Sequence, residues 1–393
     1  MKRKKFVIVG TGLFASVLAE RVGNDLGSKV HMFERRDHIG GNCYTDINPE
    51  TKIEVHKYGP HIFHTSIPKV WDYVNQFTEF NNYIHKIRIY HNGKLYPFPI
   101  NLLTINMAYK TCVNPSQINV CLKKDRVAVS KPANFREAAL KAVGKRFYNM
   151  FYKGYSEKQW KMDPKNLPVD LFKRNPIRYD HKDQVYDDLW QGIPVNGYTP
   201  MIEKMLEHKN IKVHLNQRFR LCTVAKDKNT IIIYTGKLDE AFNYRLGDLD
   251  WMSLIFHNKI CPNLQDAQGT TQVNFPDGDV DYTRIIEHKH FHPEKTYKGT
   301  VITYETPVKN SLDPYYPINT NRSNLLYSKY RRLANKVPNF YYGGRLADFK
   351  YYNMDQTIDA ALNLYDRICK DLGSTTVGRI YTRALDSIEE RKK

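Results

Sequence analysis

The segment from Lys5 to Ala15, KFVIVGTGLFA, constrains the fold more than any other part of the chain. Four apolar residues, Phe6 to Val9, run into Gly10 and read as a short buried strand. In such a turn Gly10 permits the sharp reversal, Gly12 lets backbone approach a bound group, and Ala15 lets the next helix pack close on the strand. Leu13 to Leu26 reads as that helix, with its N-terminal amides and dipole presented to an anion. Lys29 to Glu34 follows as a second strand, and Glu34 at its end stands where an acid binds an adenosine ribose. Strand, glycine turn, helix, strand and acid in this order predict a Rossmann-like unit that holds a dinucleotide.

Composition bounds the rest. A chain of 393 residues, 41% hydrophobic and 13% aromatic, has room for two or three domains with sizeable cores. No apolar run approaches the roughly 18 residues of a membrane span. MKRKK precedes only a four-residue apolar run, so no signal peptide is expected. Six cysteines without a C-x-x-C pair or metal spacing read as reduced thiols in a cytoplasmic protein with no metal site. A net charge of +19 and a pI near 9.4 favour anionic partners. Small basic clusters lie at Lys2–Lys5 and Lys123–Arg126, but no nucleic-acid motif accompanies them, so no nucleic-acid partner is expected.

The segment after Glu34, RRDHIGGN, brings Arg35, paired Gly40 and Gly41, and Asn42. It resembles flavoproteins of the glutathione-reductase and amine-oxidase type, in which a double glycine lies against the cofactor. Two later pieces fit the same pattern. NTIIIYTG, residues 229–236, is a strand ending at glycine. Residues 339–368 give a strand, a Gly343-Gly344 turn and a helix from about Asp355, with apolar Ile358, Ala361, Leu362, Tyr365 and Ile368 near a 3.6 period. A chain that returns so late implies a discontinuous cofactor domain and favours FAD over NAD. Between these pieces, IRIYHNGKLYPF reads as a β-hairpin turning at Asn92-Gly93.

The strings KYGPHIFHT, FPINLLTIN, YKGYSEKQW, DYTRIIEHKHF and PYYPI resemble, in order, the UDP-galactopyranose mutase family, and the match runs over about residues 5 to 370. The resemblance implies an α/β protein with a Rossmann-like FAD domain (1–83, 205–243 and 316–393), an inserted helical domain carrying a mobile lid (104–180), and an antiparallel sheet domain that meets the substrate (84–103, 181–204 and 244–315). It implies an isomerase in which N5 of reduced flavin attacks the anomeric carbon of a nucleotide sugar, and the ring recloses as a furanose. Arg174 and Arg284 then match the diphosphate-binding arginines, a task suited to a guanidinium fork. Tyr186, Tyr316 and Tyr351 match tyrosines at the diphosphate and sugar, and Glu305 a glutamate near the site. Trp160 sits on the lid. Phe151 and Tyr155 match residues that bind the base, and Asn274 is a further candidate there. The neighbouring Phe147 and Met150 read as core. His61 and His64 match histidines beside the flavin ring. The cofactor contacts implied are Gly10, Gly12, Leu13, Phe14, Ala15, Glu34, Arg35, Gly41, Asn42, His61, Arg345, Asn353, Met354 and Asp355. A homodimer and a nucleotide-sugar substrate carrying UDP or dTDP are the partners implied.

Three positions depart from the family pattern. Asn353 stands where the final flavin loop has aspartate, His85 where an asparagine precedes the hairpin, and Ser156 where the lid has threonine. These bear on the hexose. UDP-galactopyranose is the leading substrate, and dTDP-fucopyranose or UDP-N-acetylgalactosamine the alternatives, because a site that pairs a hydroxyl rejects a ligand lacking it. A flavin oxidoreductase of the amine-oxidase type is the rival from another class.

Overall fold

A computed structural model describes residues 4–174, 177–219, 229–309 and 313–373. The strand Lys5–Val9 lies at the centre of a five-stranded parallel sheet. Val30–Phe33 and Ile211–His214 extend it on one side, Thr230–Tyr234 and Phe340–Tyr342 on the other. Phe6, Ile8, Val30, Met32, Ile231 and Ile233 are buried, as two-faced parallel strands require. The helix after the glycine turn spans Leu13–Asn24. The last helix, Met354–Asp371, packs against it and buries Ile358, Ala361, Leu362, Tyr365 and Ile368 on one stripe. The chain thus enters this unit at its start, leaves, and returns twice.

A second sheet has seven strands, in the order Tyr316–Pro317, Trp251–Cys261, Thr300–Lys309, Arg284–Glu287, Gln272–Asn274, Ile87–His91 and Lys94–Phe98. All its pairs are antiparallel except Gln272–Asn274 beside Ile87–His91. The hairpin turns at Asn92 and Gly93, both with positive φ (47° and 74°), as a two-residue primed turn needs. Helices Leu102–Tyr109, Ile118–Lys123, Phe135–Phe147 and Gly154–Trp160 form the third layer. They share a core with the hairpin through Ile89, Tyr96, Ile105, Ala139 and Phe147, while Met150 is partly buried against it.

One element falls elsewhere than the sequence suggests. The helix Tyr198–Leu206, expected with the antiparallel sheet, packs on Leu13–Asn24 and buries Tyr198, Met201, Ile202 and Met205 in the core of the parallel unit. Its apolar stripe fits that helix–helix contact. The strand Trp190–Gly192 just before it pairs with Phe63–Thr65 and so begins the return.

A buried polar seam ties the two-stranded ribbon of Thr45–Ile47 and Glu54–His56 to the seven-stranded sheet. His56 accepts a hydrogen bond from His61 N at its Nδ1 (3.1 Å) and donates its own backbone N–H to His288 Nδ1 (3.3 Å). His288 Nε2 meets Thr303 Oγ1 at 2.7 Å, and His292 Nε2 meets Glu54 Oε2 at 2.9 Å. The His56 ring stacks on Phe291 at 4.3 Å. Burial pushes His56 well below the usual histidine value, and burial followed by Lys57 pushes His288 down to about 3 against the pull of Glu287. Both rings are therefore neutral in the fold but protonate in the unfolded chain below pH 6.5. The folded values lie under the unfolded one, so stability is full above pH 6.5 and falls as pH drops toward the folded values. Each ring contributes about 1.4 kcal/mol per pH unit in that window. Thermal melts from pH 7 to 4.5 should show a steep fall in Tm, and His288→Gln should flatten the slope by about one proton; an unchanged slope would exclude His288. In the apolar core, Ile358→Ala should cost about 2–5 kcal/mol by chemical denaturation.

Candidate functional site

A cleft opens at the ends of the parallel strands. Gly10, Gly12, Leu13, Phe14 and Ala15 form its floor, Glu34, Arg35, Gly41 and Asn42 one wall, and His61, Arg345 and Met354 the far end. Gly10 has φ 99° and Gly41 φ 55°, and a Cβ on Gly41 would come within 2.9 Å of Gly12 Cα. Gly41 therefore lets its loop lie against Gly12 more closely than any side chain would allow. Glu34 is buried; its Oε2 accepts from Thr11 N (3.1 Å) and Thr11 Oγ1 (2.9 Å), which locks the turn to the end of the second strand. Arg35 pairs with Asp313, and Asn42 Oδ1 accepts from Arg36. The late return supplies Gly344, Arg345, Met354 and Thr357 to the same cleft.

Beyond His61 and Arg345 lies a second cluster. Strand register places Asn274, Arg284 and Glu305 side by side across three strands of the seven-stranded sheet. Glu305 is fully buried and its Oε1 lies 2.7 Å from Arg284 Nη2. Among the described residues, Arg284 Nε and both Glu305 oxygens are buried without a hydrogen-bond partner. Burial opposes the charge on Arg284, but Glu305, Tyr155 and Tyr316 outweigh it and raise its pKa further, so the cation is permanent. Tyr155 stands beside Arg284 and Tyr351, and burial lifts its phenol to about 12. Tyr316 and Tyr351 stack at 5.0 Å, with Arg345 over both rings and Trp160 at 6.1 Å from Tyr316. The result is a cationic floor with aromatic walls.

Histidines form the opposite side. His61 Nδ1 donates to Gly59 O at 2.8 Å, which leaves Nε2 as an acceptor, and burial holds the ring near pKa 4. His64 Nδ1 is 2.7 Å from Asp188 Oδ2, and its ring stacks on Tyr186 at 3.6 Å. The His85 ring lies near-parallel to Tyr186, with centroids 6.0 Å apart, and its Nδ1 meets Tyr83 OH at 3.0 Å. Burial, then Arg284 and His64, drive its pKa to about 3. Among the described residues no acid contacts it, so the imidazole that replaces asparagine here is neutral.

The helix bearing Ser156 and Trp160 is docked. Lys158 Nζ donates to the carbonyls of Asp277 (2.7 Å), Val280 (3.1 Å) and Tyr282 (3.0 Å), and burial brings its pKa down to about 8 despite three nearby aspartates. Ser156 and Trp160 are both buried by this docking.

Not every expected residue joins the site. Phe151 is 3% exposed and packs against Tyr96, Phe147 and His91 in the core of the helical layer, because its turn faces the hairpin. Asn353 precedes the last helix, where its N–H donates to Gln356 Oε1, and does not line the cleft. Asp355 is also off the cleft wall; burial raises its pKa, and its nearest charges are His64 and Asp188. The Arg174 side chain lies outside the described residues. The sequence reading missed Arg36, Arg218, Phe219, Lys237 and Glu240, which complete the cleft near Glu34, and Asp188, which orients His64. The strand ending at Tyr234 was the available signal for Lys237 and Glu240; nothing local marks Asp188.

Comparison with known proteins agrees with this geometry. Residues 150–351 match the family model described as UDP-galactopyranose mutase, and residues 8–77 one described as NAD(P)-binding Rossmann-like domain. A protein named probable UDP-galactopyranose mutase from Klebsiella pneumoniae is 36% identical over 97% of this chain and 99% of its own. The dTDP-fucopyranose mutase of Escherichia coli is also 36% identical, over 91% and 96%. A crystal structure of reduced UDP-galactopyranose mutase superposes with a TM-score of 0.71 at 15% identity, over 98% of both chains, and so shares the fold. The expected fold class, an α/β protein with a Rossmann-like unit, stands. With its glycine-lined cleft beside a largely buried arginine, the chain belongs to the UDP-galactopyranose mutase family, a family of isomerases.

Proposed function

We propose that this protein interconverts UDP-galactopyranose and UDP-galactofuranose, with reduced FAD as its cofactor. The observation that carries the reading is Arg284, a largely buried permanent cation with an N–H unpaired among the described residues, set beside stacked tyrosines and next to the dinucleotide cleft through His61 and Arg345. That combination suits a diphosphate flanked by a sugar on one side and a flat cofactor ring on the other.

The cleft suits FAD. Gly10, Gly12 and Gly41 leave backbone open to a pyrophosphate, Glu34 and Arg218 line the cleft by the second strand, and His61, Arg345, Met354 and Thr357 line its other end. Reduced FAD supplies a nucleophile for covalent catalysis at the anomeric carbon. The chain's own groups do the rest. Arg284, joined by Arg174, binds the diphosphate and stabilises it as a leaving group, while Glu305 fixes the plane of the guanidinium. Tyr155, Tyr186, Tyr316 and Tyr351 wall the sugar and diphosphate. Neutral His61 offers Nε2 as a hydrogen-bond acceptor and does not compete for the anion. Asp188 sets the His64 ring against Tyr186. The helix carrying Trp160 covers the site and excludes water. The enzyme works as a cytoplasmic homodimer and serves the synthesis of a cell-surface polysaccharide.

A second reading, dTDP-fucopyranose as substrate, is favoured by the equal identity to a mutase of that name and by His85, whose imidazole alters the wall next to Tyr186. The two are separated by incubating the dithionite-reduced protein with UDP-galactofuranose, dTDP-fucofuranose and UDP-N-acetylgalactofuranose in turn. Fastest conversion of the first, only after reduction, is expected; faster conversion of the second replaces the substrate, and no conversion of any with flavin bound removes the mutase reading. Arg284→Ala should lower kcat/KM by about 10²–10³-fold, with KM rising and kcat falling together. Arg284→Lys should recover only part, because an ammonium keeps the charge and loses the fork. Near-normal kinetics of the alanine variant would take Arg284 out of the site.

A further inference from the structure

The helical unit, residues 104–180, holds sixteen lysines and arginines against six aspartates and glutamates, ten of the chain's nineteen excess positive charges in about a fifth of its length. Part of this excess gathers at one corner. Arg146 donates to Ala108 O (3.1 Å), pairs with Asp125 (3.5 Å) and lies over the Tyr109 ring (4.6 Å). Arg126 donates to Ala142 O (2.8 Å) and Asn119 Oδ1 (3.0 Å), and Tyr179 OH donates to the same oxygen (3.1 Å). These bonds draw together the ends of helices Leu102–Tyr109, Ile118–Lys123 and Phe135–Phe147. Around them Lys110, Lys123, Lys124 and Lys145 are exposed.

Apolar side chains stand among these cations. Helix Leu102–Tyr109 buries Leu102, Ile105 and Ala108 and turns Leu103 (45% exposed) and Met107 (36%) outward, one turn apart, with Lys110 next on the same stripe. Val120 on the adjacent helix is 66% exposed and Tyr179 41%. Burying such residues in water-free surroundings while lysines remain among headgroups is favourable only at an anionic bilayer. Nucleic acid would use the charges but leave the aliphatic residues in water. A second copy of the same corner would set like charges against each other.

We propose that this corner docks the protein on an anionic lipid surface, with Leu103, Met107 and Val120 entering the headgroup boundary and the lysines facing lipid phosphates. The site is separate from the cleft, and none of these residues belongs to the proposed catalytic or binding machinery. The full chain carrying its cofactor is to be sedimented with vesicles of phosphatidylcholine alone and with roughly 30% phosphatidylglycerol, at about 0.05 and 0.5 M salt. Binding only to the anionic vesicles, and loss at high salt, is expected. Joint Lys123→Glu and Lys124→Glu should weaken it by at least about tenfold, since each lysine near such a surface contributes about fivefold. Joint Leu103→Ser, Met107→Ser and Val120→Ser should weaken it while cofactor content and turnover in solution stay normal. The proposal fails if anionic vesicles capture no protein, or if the serine variant binds them as tightly as the parent. It also fails if the serine variant instead changes the oligomeric state in sedimentation velocity, or if single-stranded DNA displaces the protein from vesicles while the serine variant keeps its DNA affinity.

Discussion

The pairing of Arg284 with Glu305 is the interaction around which the substrate side of the molecule is arranged. A fully buried carboxylate and a largely buried guanidinium each cost several kcal/mol to desolvate, and their attraction offsets that cost only with good geometry. Sheet register brings the two together, because directly opposed residues on neighbouring strands share a face at about 5 Å, yet neither Glu305 oxygen has hydrogen-bond geometry to a described residue. The pair does not satisfy all of the guanidinium, since Nε is left without a partner. An apolar pair of similar size would stabilise the sheet at least as well. What an apolar pair could not do is present fixed N–H donors to a dianion in surroundings where water does not compete. The tyrosines nearby follow the same logic: their phenols stay protonated, and so can only donate to or flank an anion, never repel it.

The cofactor side depends on a different constraint, backbone that must come close to a ligand. Gly10 and Gly41 hold positive φ on either side of Gly12, and Glu34 pins the first turn through Thr11. The neutral histidines behind this region extend the constraint inward. His61 N donates to His56, which in turn donates to His288 on the second sheet. The backbone at the cleft wall is thereby tied toward the seven-stranded sheet, while Gly59 O orients the His61 ring.

Local patterns made the parallel unit legible. The apolar run into Gly10 and the 3.6-residue stripe through Ile358, Ala361 and Ile368 specify their elements without help from the rest of the chain. The Asn92-Gly93 turn likewise fixed its hairpin. Residues 198–204 were placed with the antiparallel sheet without being read as a helix, and the helix they begin packs on Leu13–Asn24, a partner distant in sequence. Phe151 shows the same limit within the site. Its string matches the family motif, yet its ring is enclosed by Tyr96 and Phe147, a contact no spacing encodes. Arg284 and Glu305 were each visible as single residues in matched strings, but that they are neighbours is a fact of strand pairing. Asp188 was invisible because its role exists only through a ring 124 residues away in sequence.

The positive charge of the chain divides between two tasks with opposite demands. At the cleft, few cations are enough, because low surrounding polarity amplifies each one; Arg345 is held by the Tyr351 ring and the Tyr352 carbonyl, and Arg284 by Glu305. On the helical unit the cations are many, exposed and long, and each contributes little in water, so only their number gives a field that reaches beyond a Debye length's worth of screening. Such a field draws a nucleoside diphosphate toward the protein whatever surface it meets first. Its concentration on one corner, interleaved with Leu103, Met107 and Val120, is not needed for that steering, which an even spread would achieve as well. Clustering adds value only where the partner is itself an extended anionic surface with an apolar interior, and it is the clustering, not the total of +19, that separates a docking face from a merely soluble one.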